Sequence, residues 1–116
     1  MTQRITLFLA QALTCAIAVA IGWGTLSPPG SGTPLPLTDK QLHFLAFAAL
    51  ALPLGWVRPR WALWLIPVAL AFGAAIELIQ PFVGRSGEWG DLMADGLGIL
   101  AGVLPGQLRH RMLRPG

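Results

Sequence analysis

His43 lies four residues after Asp39 and three after Lys40, at the head of an otherwise apolar run. Glu77 interrupts a second apolar run, with Gln80 three residues on and Arg85 beyond it. Asp91 and Asp95 open a third run, spaced i, i+4. On helices these spacings bring Asp39 and His43, Glu77 and Gln80, and Asp91 and Asp95 onto common faces. A histidine beside carboxylates is the material of a general base held in one orientation by an acid. On that reading His43 is the base, Asp39 orients it, and Glu77 and Asp95 complete a catalytic set. Lys40, Gln80, Arg85 and Asp91 are then the substrate-binding residues, since arginine suits bidentate recognition of phosphate or carboxylate.

A plainer reading stands beside this one. The same residues make a buried hydrogen-bond network that locks helices together, and Arg85 merely reaches lipid headgroups. His, Asp and Glu also suit a divalent metal. No short His-x-x-His spacing appears, however, and no cofactor is expected. Glu88 and His110 read as solvated loop and tail residues.

The elements that position these groups are membrane spans. Apolar residues make up 54% of the 116-residue chain and charged residues only 11%. Residues 5–23 and 61–76 carry no charge at all. Uncharged runs near twenty residues match the thickness of a bilayer's hydrocarbon at helical rise. The expectation is one membrane domain over residues 1–116, an all-α four-helix transmembrane bundle with spans at about 5–23, 39–57, 61–81 and 91–108. The eight basic residues form no stripe and no aromatic platform, which excludes a nucleic-acid partner. Cys15 is alone, so it forms no intrachain disulfide, and it reads as a small apolar packing residue. Ala18-Val19-Ala20 resembles a signal-peptidase site, but the apolar run continues through Trp23, which favours an uncleaved span.

Local signals agree with these bounds. The stretch GTLSPPGSGTPLPL at 24–37 holds four prolines and three glycines and cannot be helical throughout. Thr38 and Gln41 fit a capping box at the start of the second span. Arg58-Pro59-Arg60 makes a tight hairpin. Pro53, Pro67 and Pro105 fall inside spans, where neighbouring helices satisfy the freed carbonyls. Ala94, Gly98, Gly102 and Gly106 recur every four residues, a stripe of small residues that lets helices approach closely.

Orientation follows from lysine and arginine. Arg4, Arg58, Arg60, Arg109, Arg111 and Arg114 fall on one side of the spans, Lys40 and Arg85 on the other. The arginine-rich side is therefore expected in the cytoplasm with both termini, where Arg109, Arg111 and Arg114 read as an inner-leaflet anchor. Trp23 and Trp89 then mark the outer boundary, and Trp56, Trp61 and Trp64 the inner one. All five acids, with His43, fall in the outer half. A charged group at mid-bilayer costs roughly 2.5–3.5 kcal/mol, so such groups face the bundle and pair. Glu77 and Asp95 are accordingly expected to partner His43, Lys40 or Arg85 in an outward-facing polar pocket.

The ordered set resembles the VanZ-like family of small bacterial membrane proteins over roughly residues 37–104. It is carried by DKQLHFLAFAAL and AAIELIQPFVGRSGEWGDLMADGLGILAG: an Asp-Lys-x-x-His, a Glu-x-x-Gln-x-Phe, a loop Arg, and Asp-x-x-x-Asp-Gly-x-Gly-x-x-x-Gly. In this chain those are Asp39, Lys40, His43, Glu77, Gln80, Phe82, Arg85, Asp91, Asp95, Gly96, Gly98 and Gly102. The family often has Asn where this chain has Asp95. The resemblance implies a multi-pass protein of the bacterial cytoplasmic (inner) membrane, and a namesake linked to low-level resistance to the glycopeptide teicoplanin. It implies no settled biochemical activity.

Two functions of different classes follow. The first is binding or modification of an envelope lipid, a glycolipid or a lipid-linked cell-wall precursor at the outer leaflet, with membrane lipids as partners. The second is a non-enzymatic accessory subunit whose polar cluster is an interhelical lock. Proton-coupled transport ranks behind both, because the inner halves of the spans lack ionisable residues.

Overall fold

The computed structural model describes residues 2–27, 36–85 and 87–113. Four helices account for nearly all of them: α1 (Thr2–Leu26), α2 (Asp39–Val57), α3 (Ala62–Ile79) and α4 (Trp89–Leu113). No strand occurs among the described residues, so the chain is all-helical. Residues 28–35 of the proline- and glycine-rich connection, and Arg114, lie outside the described residues.

Local chemistry sets most of the bounds. Thr38 Oγ1 accepts from the Gln41 N–H at 3.2 Å while Gln41 Oε1 accepts from the Thr38 N–H at 3.0 Å. This complete capping box starts α2 where the sequence places it, and such a cap contributes about 1 kcal/mol. The hairpin between α2 and α3 is a 3-10 turn, Pro59–Trp61. Pro81 cannot continue α3, whose chain tightens into a second 3-10 turn, Gln80–Val83, ended by Gly84 at φ 78°. Helices α1 and α4 run past the expected 5–23 and 91–108 at both ends.

The closest pairing joins α2 and α4. A Cβ on Gly102 would lie 2.5 Å from the Ala48 carbonyl oxygen, and Cβ atoms on Gly98 and Gly106 would press still closer on the carbonyls of Phe44 and Gly55. The two helices run parallel, backbone against backbone, with the stripe of small residues as the seam. At its far end Gln107 Nε2 donates to the Pro59 carbonyl at 2.6 Å and Arg109 Nη2 to that of Trp56 at 2.6 Å. The Arg109 guanidinium also stands 4.5 Å from the centre of the Trp56 ring. Arg109 thus closes the C-terminal end of α2 rather than serving only as a lipid anchor.

Helix α1 is held lightly. Only Ala10 and Ile21 are buried on it, and Cys15 lies exposed on its outer face instead of packing inward. Its C-terminal carbonyls meet the end of α3, where Gln80 Nε2 donates to the Thr25 carbonyl (3.1 Å) and Arg85 Nη1 to that of Ser27 (3.3 Å). Since α1 ends where α2 and α4 begin, the start of α1 and the end of α4 lie at the opposite end of the bundle.

Burial is inverted relative to a protein bathed in water. Leu63, Phe82, Trp23, Val19 and Met93 are exposed while His43, Glu77, Gln80, Asp91 and Asp95 are buried. An apolar exterior around a polar interior is what a hydrocarbon solvent selects. Helices α1, α2 and α3 with its flanking turns are long and apolar enough to cross a membrane. Two acids, five glycines and a proline dilute α4, whose buried face lies on α2.

Candidate functional site

Three helix ends converge on one histidine. His43 sits in the second turn of α2, its ring parallel to that of Phe47 one turn on (centroids 6.5 Å apart, planes at 2°). Phe47 is fully buried and tilts against Phe72 of α3. The apolar core therefore fixes the plane in which the imidazole lies. Within that plane both ring nitrogens face carboxylates. Nδ1 is 2.7 Å from Asp95 Oδ1 and 4.0 Å from Glu77 Oε1; Nε2 is 3.7 Å from Asp91 Oδ2.

Each acid is placed by its own helix. Asp91 and Asp95 occupy successive turns at the start of α4, which sets one acid against each ring nitrogen. Glu77, in the last turn of α3, also accepts the Glu88 N–H through Oε2 at 2.8 Å, so its carboxylate ties α3 to the start of α4. Gly73, one turn before Glu77, makes room for Asp95: a Cβ there would stand 2.6 Å from Asp95 Oδ2. The four side chains are closed in, with His43 8% exposed, Glu77 and Asp91 4% and Asp95 0%.

Several expected roles are redistributed. Asp39 lies exposed in the first turn of α2, and the acid that meets His43 is Asp95. A residue one turn away on the same helix projects along the surface, whereas one on a packed neighbour projects across the interface. Arg85 turns to the end of α1 and does not pair with Glu77, whose partner is the Glu88 backbone. Gln80 likewise holds α1, leaving its buried Oε1 without a hydrogen-bond partner among the described residues. Lys40 stays at the surface, bridging Glu88 at 3.0 Å and Asp91 at 3.6 Å. Glu88, expected as a solvated loop residue, thus takes part twice, through its carboxylate and its N–H. A main-chain contribution of that kind leaves no signal in residue type.

The cluster is sealed, and the open feature lies beside it. A cavity of about 620 Å³ runs between the first halves of α2 and α4, lined by Leu37, Phe44, Leu45, Met93 and Leu97, with Lys40 and Gln41 at one end. The expected polar pocket therefore divides in two: a buried ionic cluster, and an apolar groove with a lysine at its mouth.

The sequence pattern of the VanZ/LLP1 family matches residues 4–108, which adds α1 to the stretch that carries the resemblance. No curated protein and no solved structure matches the chain. With nine-tenths of its length inside that pattern and its polar residues gathered as described, the chain belongs to the VanZ/LLP1 family.

Proposed function

We propose that this VanZ-family membrane protein binds an amphiphilic component of the bacterial envelope, a lipid or lipid-linked cell-wall precursor, in the groove between α2 and α4, and modifies it if the adjoining cluster is reactive. The observation that carries the reading is the groove's composition. Apolar side chains line its length and Lys40 stands at the end where α2 and α4 both begin. An acyl or prenyl chain matches the lining, while an anionic headgroup matches an ammonium beside two helix N-termini. Placing the arginine-rich end in the cytoplasm puts that headgroup at the outer leaflet of the inner membrane. The low-level teicoplanin resistance linked to the family's namesake fits a ligand of the lipid-linked cell-wall precursor class.

The first of two variants fills the groove without touching the buried cluster. Leu45→Trp with Leu97→Trp places two indoles in the cavity, and Lys40→Glu reverses the charge at its mouth. Anionic amphiphile retained through purification is expected to fall in both, with glycopeptide sensitivity changing in the same direction. Retention equal to the parent protein in the double tryptophan variant rules the groove out.

A second reading has its own support: the 2.7 Å contact between His43 and Asp95, buried where α2 meets α4, is the geometry of an interhelical lock. A pure lock predicts that His43→Ala lowers melting temperature and yield together with any phenotype. A reactive site predicts a lost phenotype in protein that folds normally.

A further inference from the structure

The buried cluster does not balance its own charge. Glu77, Asp91 and Asp95 surround one imidazole, and the one ammonium in reach, Lys40, is shared with Glu88. Lys40 and Glu88 lie at the surface; inside, three carboxylates face one imidazole, so two negative charges lack a buried counter-charge even with His43 protonated. In a low-dielectric setting such an excess is strongly unfavourable. With the imidazole neutral, as a metal ligand must be, one divalent cation offsets two of the three carboxylate charges, and Lys40 lies 3.6 Å from the third, on Asp91.

Independent of charge, the oxygens have coordination to spare. Glu77 Oε1 and Asp95 Oδ2 are buried and have no hydrogen-bond partner among the described residues, whereas Asp91 Oδ1 has the Lys40 ammonium at 3.6 Å. They belong to side chains whose residues are at least nine-tenths buried. Orphaned buried carboxylate oxygens are rare and call for a ligand. One atom each of His43, Glu77 and Asp95 lie within 4.8 Å of one another. Metal–nitrogen and metal–oxygen bonds of about 2.0–2.2 Å put two ligand atoms on one ion up to about 4.3 Å apart. Small side-chain shifts bring the set onto an ion, with the 2.7 Å His43–Asp95 contact opening as metal replaces proton.

Asp91 supplies the remaining part. A ligating histidine is oriented by a carboxylate that accepts from its other ring nitrogen, and Asp91 Oδ2 faces Nε2 while Nδ1 faces Glu77 and Asp95. We propose that His43 Nδ1, Glu77 and Asp95 form a site for one divalent first-row transition-metal ion, Mn²⁺ or Zn²⁺, with Asp91 as the positioning residue on Nε2. One imidazole nitrogen among carboxylate oxygens favours these ions over Mg²⁺ and Ca²⁺, which take oxygen ligands. The site stands whether or not the groove holds a lipid.

The test uses the full chain in detergent, freed of metal by chelator dialysis and titrated with Mn²⁺. Electron paramagnetic resonance counts the bound ion, and its pulsed form detects nitrogen from a coordinated imidazole. The expected result is one ion per chain with nitrogen coupling, displaced by Zn²⁺ and not by Mg²⁺. Asp91→Asn is expected to weaken binding by about 10–100-fold, and Glu77→Gln or Asp95→Asn by at least as much. His110→Ala, at the far end of α4, is expected to keep both affinity and coupling. Wild-type protein that takes up no ion, or binds it without nitrogen coupling, overturns the site even if the cluster variants fail to fold. Coupling that disappears in His110→Ala overturns it as well.

Discussion

His43 Nδ1 and Asp95 Oδ1 meet at 2.7 Å across the interface of α2 and α4, although 52 residues separate them in the chain. The contact sits at one end of a seam where glycines bring the two backbones together. A polar pair and a steric fit therefore specify the same register. Replacing Asp95 by alanine removes the acid and leaves a buried imidazole facing a void, which is expected to cost about 3 kcal/mol. Interhelical polar contacts in membranes average about 0.6 kcal/mol and reach about 1.7, and this short buried contact belongs near the top of that range. Reversible unfolding in mixed micelles of His43→Ala, Asp95→Ala and the double variant reads the coupling. A value below about 0.3–0.5 kcal/mol, within ordinary additivity, would mean that the contact does not hold the helices.

Gly73 and Gly96 offer a matched pair. A methyl on Gly73 would stand 2.6 Å from Asp95 Oδ2, a short, fully buried side chain with little freedom to move. On Gly96 it would meet Leu70 Cδ1 at an ordinary 3.7 Å. Gly73→Ala is expected to destabilise by about 1–3 kcal/mol through overpacking. Gly96→Ala is expected to be neutral or to stabilise by up to about 1 kcal/mol through helix propensity. Melting temperatures of the two variants in one detergent decide the matter, and equal shifts would refute the assigned packing of Asp95.

Along the seam, Gly106 is the position least able to accept a side chain, because a Cβ there would overlap the Gly55 carbonyl. Gly106→Ala must push α2 and α4 apart at the end held by Arg109 and Gln107. The loss expected is about 1–3 kcal/mol, accompanied by faster hydrogen exchange in the last turns of both helices. Unchanged protection there would show that the helices do not approach as closely as the seam requires.

Gln80 and Arg85 hold the C-terminal end of α1, whose middle is held separately by Thr14 Oγ1 donating to the Leu50 carbonyl of α2. Gln80→Ala is expected to raise amide exchange in the second half of α1 several-fold, without altering α2 or α4, because local opening follows local contacts. Equal acceleration in all four helices would instead make Gln80 part of the general core.

The sequence alone determined the number of helices, the second helix's start at Thr38, and the gathering of the acids toward one end of the bundle. It could do so because apolar runs, caps and breakers act over a few residues and write themselves into local composition. The seam of Gly98, Gly102 and Gly106 was visible for the same reason, since a period of four residues is a local pattern. Partner choice was not. Asp39 and Asp95 are equally good acids for His43 by residue type; only the close approach of α2 and α4 puts Asp95 across the interface and leaves Asp39 outside. Arg85 and Gln80 hold α1 instead of a ligand because α1 ends there, a fact of tertiary placement. Glu88 enters through a main-chain N–H that every residue but proline carries. Spacing along one helix sets which residues share a face, and packing between helices sets what that face meets.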